Sequence, residues 1–123
     1  MIKGIGVDLV EISRIELSIK KYGEQFLQKV FTDLEIRYCS GKAKPSGHFA
    51  ARFAAKEAVA KALSTGWAGG FRWKDVEVSN DTSGKPSVTL KGELEKTMRG
   101  SAIFLSLSHS ETSVVAFAII EGS

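Results

Sequence analysis

The chain has 123 residues, of which 43% are hydrophobic and 25% are charged, the balance of an ordinary soluble globule. This length predicts one domain over residues 1–123, with a core modest enough that oligomerisation would add useful buried apolar surface. The net charge of +3 favours an acidic partner, but the charges are scattered, which argues against a nucleic-acid-binding module.

The cysteine content and the amino terminus predict a cytoplasmic protein. Cys39 is the single cysteine, so an internal disulfide cannot form and a reducing compartment is expected. The apolar run at the start is too short for a signal peptide and is interrupted by Asp8. No stretch approaches the roughly 20 apolar residues of a membrane span, so we expect no contact with a membrane.

Residues 2–12 predict a buried strand, because they are rich in Ile, Val and Leu. Gly4 and Gly6 within it admit close approach of another backbone. Asp8 also lies in this strand, where a carboxylate is expensive unless it is paired, hydrogen-bonded or bound to a metal. A structural partner and a metal ion both stay open for Asp8.

Two pairs of residues have the spacing of a capping box, in which a helix-starting hydroxyl is followed three positions later by a glutamate. These pairs are Ser13 with Glu16, and Thr32 with Glu35. They predict helices over residues 15–30, interrupted at Gly23, and over residues 33–40.

The strongest predicted helix covers residues 48–64, which are dense in Ala, Lys, Glu and Leu and contain no Gly or Pro. Residues 41–47, including Pro45, are predicted to form the loop before it. Gly66 is predicted to end the helix, and residues 69–70 mark a further loop. The many alanines of this helix form a broad face suited to close packing.

The rest of the chain predicts strands joined by turns, with one short helix over residues 92–99. The predicted strands cover residues 75–79, 86–90, 102–107 and 113–120. Residues 80–85 read as the turn of a hairpin, and residues 108–112 as a polar turn. We therefore predict an α+β fold with a mostly antiparallel sheet.

The long helix carries two pairs of charged residues at i,i+4 spacing. Arg52 and Lys56 repel each other, and an anion between them would turn that cost into an attraction. Glu57 and Lys61 could form a surface salt bridge worth roughly 0.3–0.5 kcal/mol, or could belong to a site.

The segment Ser106-Leu107-Ser108-His109-Ser110 places hydroxyls beside an imidazole, which could hold a phosphate or assist proton transfer. Ser and His are also common in ordinary turns. A hydrolase triad is disfavoured, because the pattern Gly-x-Ser-x-Gly is absent. The dinucleotide fingerprint, the P-loop and a zinc pattern are absent as well.

Together these segments resemble the bacterial holo-acyl-carrier-protein synthases, a group of 4′-phosphopantetheinyl transferases. The similarity extends over nearly the whole chain, and the order and spacing of its pieces make it specific. The pieces are residues 4–12 (GIGVDLVEI), 14–16 (RIE), 52–58 (RFAAKEA), 61–62 (KA), Gly66, 73–78 (WKDVEV), 84–86 (GKP) and 107–110 (LSHS).

The resemblance implies a role for each matching residue. Asp8 and Glu57 match the carboxylates that hold Mg²⁺ on the pyrophosphate of coenzyme A, and hard oxygen ligands suit Mg²⁺. Lys61 is implied to contact phosphate. Residues implied near the nucleotide and its 3′-phosphate are Arg52, Ser108 and His109, with Gly84 and Pro86 beside the adenine end.

The implied reaction is transfer of the 4′-phosphopantetheine arm of coenzyme A to a serine of apo-acyl carrier protein, which releases adenosine 3′,5′-bisphosphate. Such a transfer mainly needs positioning and charge neutralisation. Glu57, a metal-bound water or His109 could deprotonate the serine, and a carboxylate or water is favoured.

The resemblance also implies two protein partners. Arg14, on the helix after Asp8, is singled out to contact the acidic carrier protein. Members of the family form trimers with active sites between subunits, and the apolar strands near the carboxyl terminus agree with such an interface. Residues 67–70 (WAGG), in the loop after the long helix, differ from the glycine and isoleucine that the resemblance implies there.

Two other classes of function stay open at this point. A magnesium-dependent phosphohydrolase using the same two acids would cleave coenzyme A without a carrier protein. A non-catalytic basic binding module would be indifferent to loss of Asp8 or Glu57, and its binding to nucleic acid would weaken steeply with salt. An inactive scaffold is disfavoured because acids, cations and the Ser-His segment are all present.

Overall fold

The computed structural model describes residues 1–63 and 71–122. Helices and strands alternate irregularly along the chain, and every pairing between described strands is antiparallel, which confirms the predicted α+β class. No described helix has both the length and the apolar character needed to cross a bilayer. In chain order the elements are β1 (Ile2–Glu11), α1 (Ile12–Tyr22), α2 (Glu24–Val30), α3 (Asp33–Ser40), α4 (Pro45–Ala62), β2 (Val76–Asn80), β3 (Pro86–Leu90), α5 (Gly92–Thr97), β4 (Ser101–His109) and β5 (Ser113–Gly122).

The described strands form two sheets where the sequence predicted one. β1, β5 and β4 form a three-stranded sheet in that order, while β2 and β3 form a separate hairpin. Strand residues alternate between the two faces of a sheet. The inner face of the larger sheet carries the core residues Val10, Val114, Ala116, Ala118 and Ile120, and α4 packs against it.

The contact between α4 and β1 is made by backbone, as the glycines and alanines of the sequence predicted. A Cβ atom added to Gly6 would lie 1.9 Å from the carbonyl oxygen of Ala58. One added to Gly4 would lie 1.9 Å from that of Ala62. Only glycine therefore lets the helix approach the strand so closely, and this approach sets the fourth and fifth turns of α4 over Asp8.

Two predicted helix starts were wrong. The capping box at Ser13 does not form, because β1 continues directly into α1 and the helix begins at Ile12, three residues before the predicted start. There the backbone N–H of Ile12 donates to the carbonyl of Thr112 at 2.9 Å. The predicted loop over residues 41–47 is also too long, since α4 begins at Pro45, whose ring suits the first helical position.

The remaining boundaries differ from prediction by up to two residues, the usual uncertainty of element ends. α4 ends at Ala62, α5 at Thr97, and β4 continues to His109. The interruption at Gly23 is confirmed, with a φ of 56° at that residue. The predictions for Ser64, Gly66 and residues 67–70 lie outside the described residues.

A buried ionic cluster joins α3, α4 and β2. The predicted capping box forms at Thr32 and Glu35. The Glu35 carboxylate also accepts a hydrogen bond from the N–H of Val78 at 2.7 Å and pairs with Lys56 at 2.8 Å, both side chains being fully buried. Lys56 further donates to the carbonyl oxygens of Trp73 and Val76. Glu35 is thus the anion that offsets the charge of Lys56, and it belongs to the protein itself.

Candidate active site

Asp8 and Lys61 meet where α4 crosses β1. Asp8 lies on the inner face of the sheet, and its side chain is only 15% exposed. Its carboxylate oxygen Oδ1 accepts a hydrogen bond from Nζ of Lys61 at 2.9 Å, and the same Nζ donates to the carbonyl of Val7 at 3.1 Å. Lys61 therefore pairs with Asp8, and the predicted surface bridge between Lys61 and Glu57 is not the one observed.

Glu57 completes this acidic cluster. Burial raises the pKa of Glu57, and the neighbouring charge of Asp8 raises it further, while Lys61 and Arg14 oppose the shift. The pKa of Lys61 is raised, chiefly by its hydrogen bond to Asp8. Two carboxylates thus lie close enough to repel each other, with one exposed lysine offsetting part of their charge.

The donor set of this cluster fits Mg²⁺. Carboxylate oxygens are its preferred protein ligands, and it commonly takes one or two of them while water and substrate phosphates fill its other positions. Among residues 1–63 and 71–122 no group of three or more His, Cys, Asp and Glu side chains is arranged to hold a metal. The two carboxylates of Asp8 and Glu57 match the one or two that Mg²⁺ commonly takes from a protein.

Arg14 lies beside this cluster, on the exposed side of α1. Its charge is near enough to Glu57 to lower the pKa of that carboxyl. The structure thus joins the residue predicted to contact the carrier protein with the residues predicted to hold the metal.

Arg52 is connected to the β2–β3 turn through a residue that the sequence did not single out. The guanidinium atom Nη2 of Arg52 donates to Oδ1 of Asn80 at 2.9 Å, and Nδ2 of Asn80 donates to the carbonyl of Gly84 at 3.0 Å. Arg52 is itself only 3% exposed. Its predicted contact with a nucleotide stays a prediction, whereas its link to the turn carrying Gly84 and Pro86 is observed.

His109 and Ser108 lie on opposite sides of the sheet, because successive strand residues alternate between its faces. Ser108 is beside Val115 on the outer face, and His109 is beside Val114 on the inner face. His109 lines a cleft of about 490 Å³ with His48 and Lys44 at the start of α4. Ser108 and His109 of one chain therefore cannot both face this cleft.

Within one chain the predicted site residues fall into separate groups. Asp8, Glu57 and Lys61 are not among the residues that line the cleft of His109. Nine helical positions separate His48 from Glu57, a distance of about 13 Å along the axis of α4. A single small group cannot contact both, whereas an extended ligand or a site shared between two chains could.

His48 and Asn80 are the residues of these groups that the sequence analysis missed. His48 was read as part of a helix, yet burial and the nearby charges of Lys42, Arg52 and His109 lower its pKa. Asn80 was read only as the start of a turn. The position of an asparagine next to an Asp-x-x-Gly turn was the available signal, but its contact with Arg52 spans 28 residues of sequence.

The sequence of the chain matches one family of known proteins. Residues 4–118 match the model of the 4′-phosphopantetheinyl transferase superfamily. The chain is 47% identical to the holo-[acyl-carrier-protein] synthase of Protochlamydia amoebophila, over 97% of this chain and 98% of that protein.

Solved structures agree with the sequence match. The holo-[acyl-carrier-protein] synthase of Neisseria meningitidis superposes with a TM-score of 0.91 at 37% identity, covering 98% of this chain and 99% of that one. That of Bacillus anthracis, solved in complex with CoA (3′,5′-ADP), has a TM-score of 0.85 at 35% identity and covers 100% and 99%. With sequence and fold in agreement, the chain belongs to the 4′-phosphopantetheinyl transferase superfamily.

Proposed function

We propose that this chain is a holo-acyl-carrier-protein synthase, which transfers the 4′-phosphopantetheine arm of coenzyme A to a serine of apo-acyl carrier protein. The observation that carries the proposal is the cluster of Asp8, Glu57 and Lys61, with the charge of the exposed Arg14 close to Glu57. The setting that we propose is fatty acid biosynthesis in the cytoplasm, which suits a protein whose single cysteine is a free, buried thiol.

The chemistry is a phosphoryl transfer with a protein hydroxyl as nucleophile. The serine oxygen forms a bond to the β-phosphorus of coenzyme A while the bond from that phosphorus to the bridging oxygen breaks. Adenosine 3′,5′-bisphosphate leaves with the electron pair of that bond, and the serine proton passes to a base. Such a reaction depends on positioning and on neutralising charge at the phosphate oxygens.

The residues of the cluster divide these tasks. Asp8 and Glu57 would hold Mg²⁺, which when bound supplies positive charge to the pyrophosphate oxygens. Lys61 has an exposed ammonium group that already lies at the cluster and can turn to a phosphate oxygen. The carboxylate of Glu57, a water molecule and His109 are the candidate acceptors of the serine proton.

We further propose a homotrimer that uses the outer face of the β1–β5–β4 sheet. This face exposes large apolar side chains on all three strands: Ile5, Val7, Leu9, Phe104 and Phe117. A continuous apolar surface of this kind is typical of a protein interface.

Sedimentation at micromolar concentration is expected to give three times the mass of one chain, and Phe117→Glu is expected to give single chains. Single chains for the unaltered protein would contradict the trimer.

The intact mass of an apo-acyl carrier protein tests the reaction directly. Incubation with this protein, coenzyme A and Mg²⁺ is expected to add one phosphopantetheine arm, and a chelator or loss of the acceptor serine is expected to prevent the gain. Arg14→Ala is expected to need severalfold more carrier protein for half the maximal rate, because the opposite charges that speed encounter are reduced. Cleavage of coenzyme A without any carrier protein would instead indicate a phosphohydrolase.

A further inference from the structure

We propose that Asn80 is a positioning residue for coenzyme A, because its amide fastens the β2–β3 turn to Arg52 of α4. The inference rests on the proposed function, under which Gly84 and Pro86 of this turn lie beside the nucleotide. Asn80 itself is not required to touch the ligand. Its effect is exerted through the carbonyl of Gly84 on one side and the guanidinium of Arg52 on the other.

Arg52 holds one end of the two hydrogen bonds of Asn80 in a fixed position. Its side chain is buried, and its guanidinium carbon lies 4.2 Å from the centre of the Tyr38 ring, so the side chain has little freedom to move. None of the ion pairs found in the described part of the chain includes Arg52. The amide oxygen of Asn80 is therefore a principal acceptor for a buried cation that has no carboxylate partner there.

The buried charge also strengthens the second half of the bridge. A hydrogen bond donated by a charged group is stronger than one between neutral groups. Donation from Arg52 to Oδ1 polarises the amide of Asn80, which makes its Nδ2 a better donor to the carbonyl of Gly84. The two bonds are thus cooperative, and loss of the amide removes both.

The turn is rigid within itself but needs Asn80 to set its place on the protein. Oδ1 of Asp81 accepts hydrogen bonds from the N–H of Ser83 and the N–H of Lys85, each at 2.9 Å. Gly84 has a φ of 90°, and a Cβ added to it would meet no atom within 4 Å. The turn therefore presents an open surface at Gly84, and we expect it to move as one piece when Asn80 no longer holds it to α4.

The expected consequence is weaker nucleotide binding with an unchanged chemical step. Gly84 belongs to a different group of residues from Asp8, Glu57 and Lys61, so a displaced turn leaves the acidic cluster intact. A change that removes binding equally from ground state and transition state raises KM and leaves kcat unaltered. Without the two bonds of Asn80, the ligand must itself hold the turn in its binding position. If this costs as much as one or two net hydrogen bonds, the affinity for the nucleotide falls by about fivefold to thirtyfold.

Asn80→Ala and Asn80→Asp separate this role from one in stability. Asn80→Ala removes both bonds, whereas Asn80→Asp keeps an acceptor for Arg52, as a carboxylate, and loses the donor to Gly84. Asn80→Asp is therefore expected to unfold at the same temperature as the unaltered protein or higher. Both variants are expected to raise the KM for coenzyme A and the Kd for adenosine 3′,5′-bisphosphate, measured by calorimetry, with kcat within about twofold.

Ser79→Ala is the matched control, because among the described residues the Ser79 hydroxyl bonds only within the hairpin, 3.2 Å from that of Ser87. It is expected to leave KM and Kd unchanged. Unaltered Kd in folded Asn80→Asp and Asn80→Ala, or a fall in kcat at constant KM, would overturn the inference. If the unaltered protein binds the bisphosphate but modifies no carrier protein, the transferase proposal fails while the binding data still decide the role of Asn80. Absence of binding by the unaltered protein would overturn both.

Discussion

Glu57→Gln is expected to lower the rate of phosphopantetheine transfer by about 10²-fold to 10³-fold, since a metal ion at phosphoryl oxygens is worth several kcal/mol of transition-state stabilisation. Glutamine has nearly the same size but no charge, so it leaves Asp8 as the single carboxylate of the cluster. The rate is measured from the intact mass of the carrier protein over time. Glu93→Gln is the control, because Glu93 is an exposed carboxylate of α5 with an 85% exposed side chain.

The same substitution is expected to stabilise the metal-free protein. Burial and the charge of Asp8 raise the pKa of Glu57, so the folded state binds its proton more tightly than the unfolded chain does. The unaltered protein therefore loses stability as pH rises through the range where Glu57 ionises, and the glutamine variant does not. Thermal unfolding between pH 4 and pH 8, in chelator, checks this. A variant that is both inactive and less stable at neutral pH would indicate a structural role for Glu57 instead.

Lys56→Met is expected to lower the free energy of unfolding by about 3–5 kcal/mol, because it leaves the buried carboxylate of Glu35 without a cation. Methionine fills a similar volume, so the loss reports charge more than packing. Both members of the pair are fully buried, and their nitrogen and oxygen atoms are 2.8 Å apart. Urea unfolding measures the change.

Two further variants make this prediction specific to the buried pair. Lys61→Met, on the same helix, removes a pair whose lysine is 54% exposed, and is expected to cost less than about 1 kcal/mol. Adding Glu35→Gln to Lys56→Met removes the uncompensated charge and is expected to recover part of the loss. Equal stability of Lys56→Met and the unaltered protein would show that the pair contributes nothing net.

Local signals in the sequence were enough for most of the secondary structure. The box of Thr32 and Glu35 and the break at Gly23 were predicted correctly, since each depends on neighbours within four residues. The failure at Ser13 shows the limit of such signals. At the start of α1 the N–H of Ile12 bonds to the carbonyl of Thr112, and a local pattern carries no information about a partner 100 residues away.

Part of the chemistry of the candidate site was also predicted from the sequence. Asp8 stood out because a carboxylate in an apolar strand needs a partner, and the family resemblance singled out Glu57 and Lys61 on the long helix. The partner of Lys61 was not predicted, because i,i+4 spacing on one helix suggested Glu57. Asp8 is instead the partner, since Gly4 and Gly6 let the strand approach the helix backbone.

The sequence alone therefore determined the α+β class, the family resemblance and the types of residue that could carry out a phosphoryl transfer. These follow from periodicity, capping and motif spacing, which are local or nearly so. Only the tertiary structure decided that Lys56 is buried against Glu35, that Ser108 and His109 face opposite sides of the sheet, and that Asn80 joins Arg52 to the turn at Gly84. The physical reason is that burial and strand register depend on contacts between distant segments, which exist only once the chain has folded.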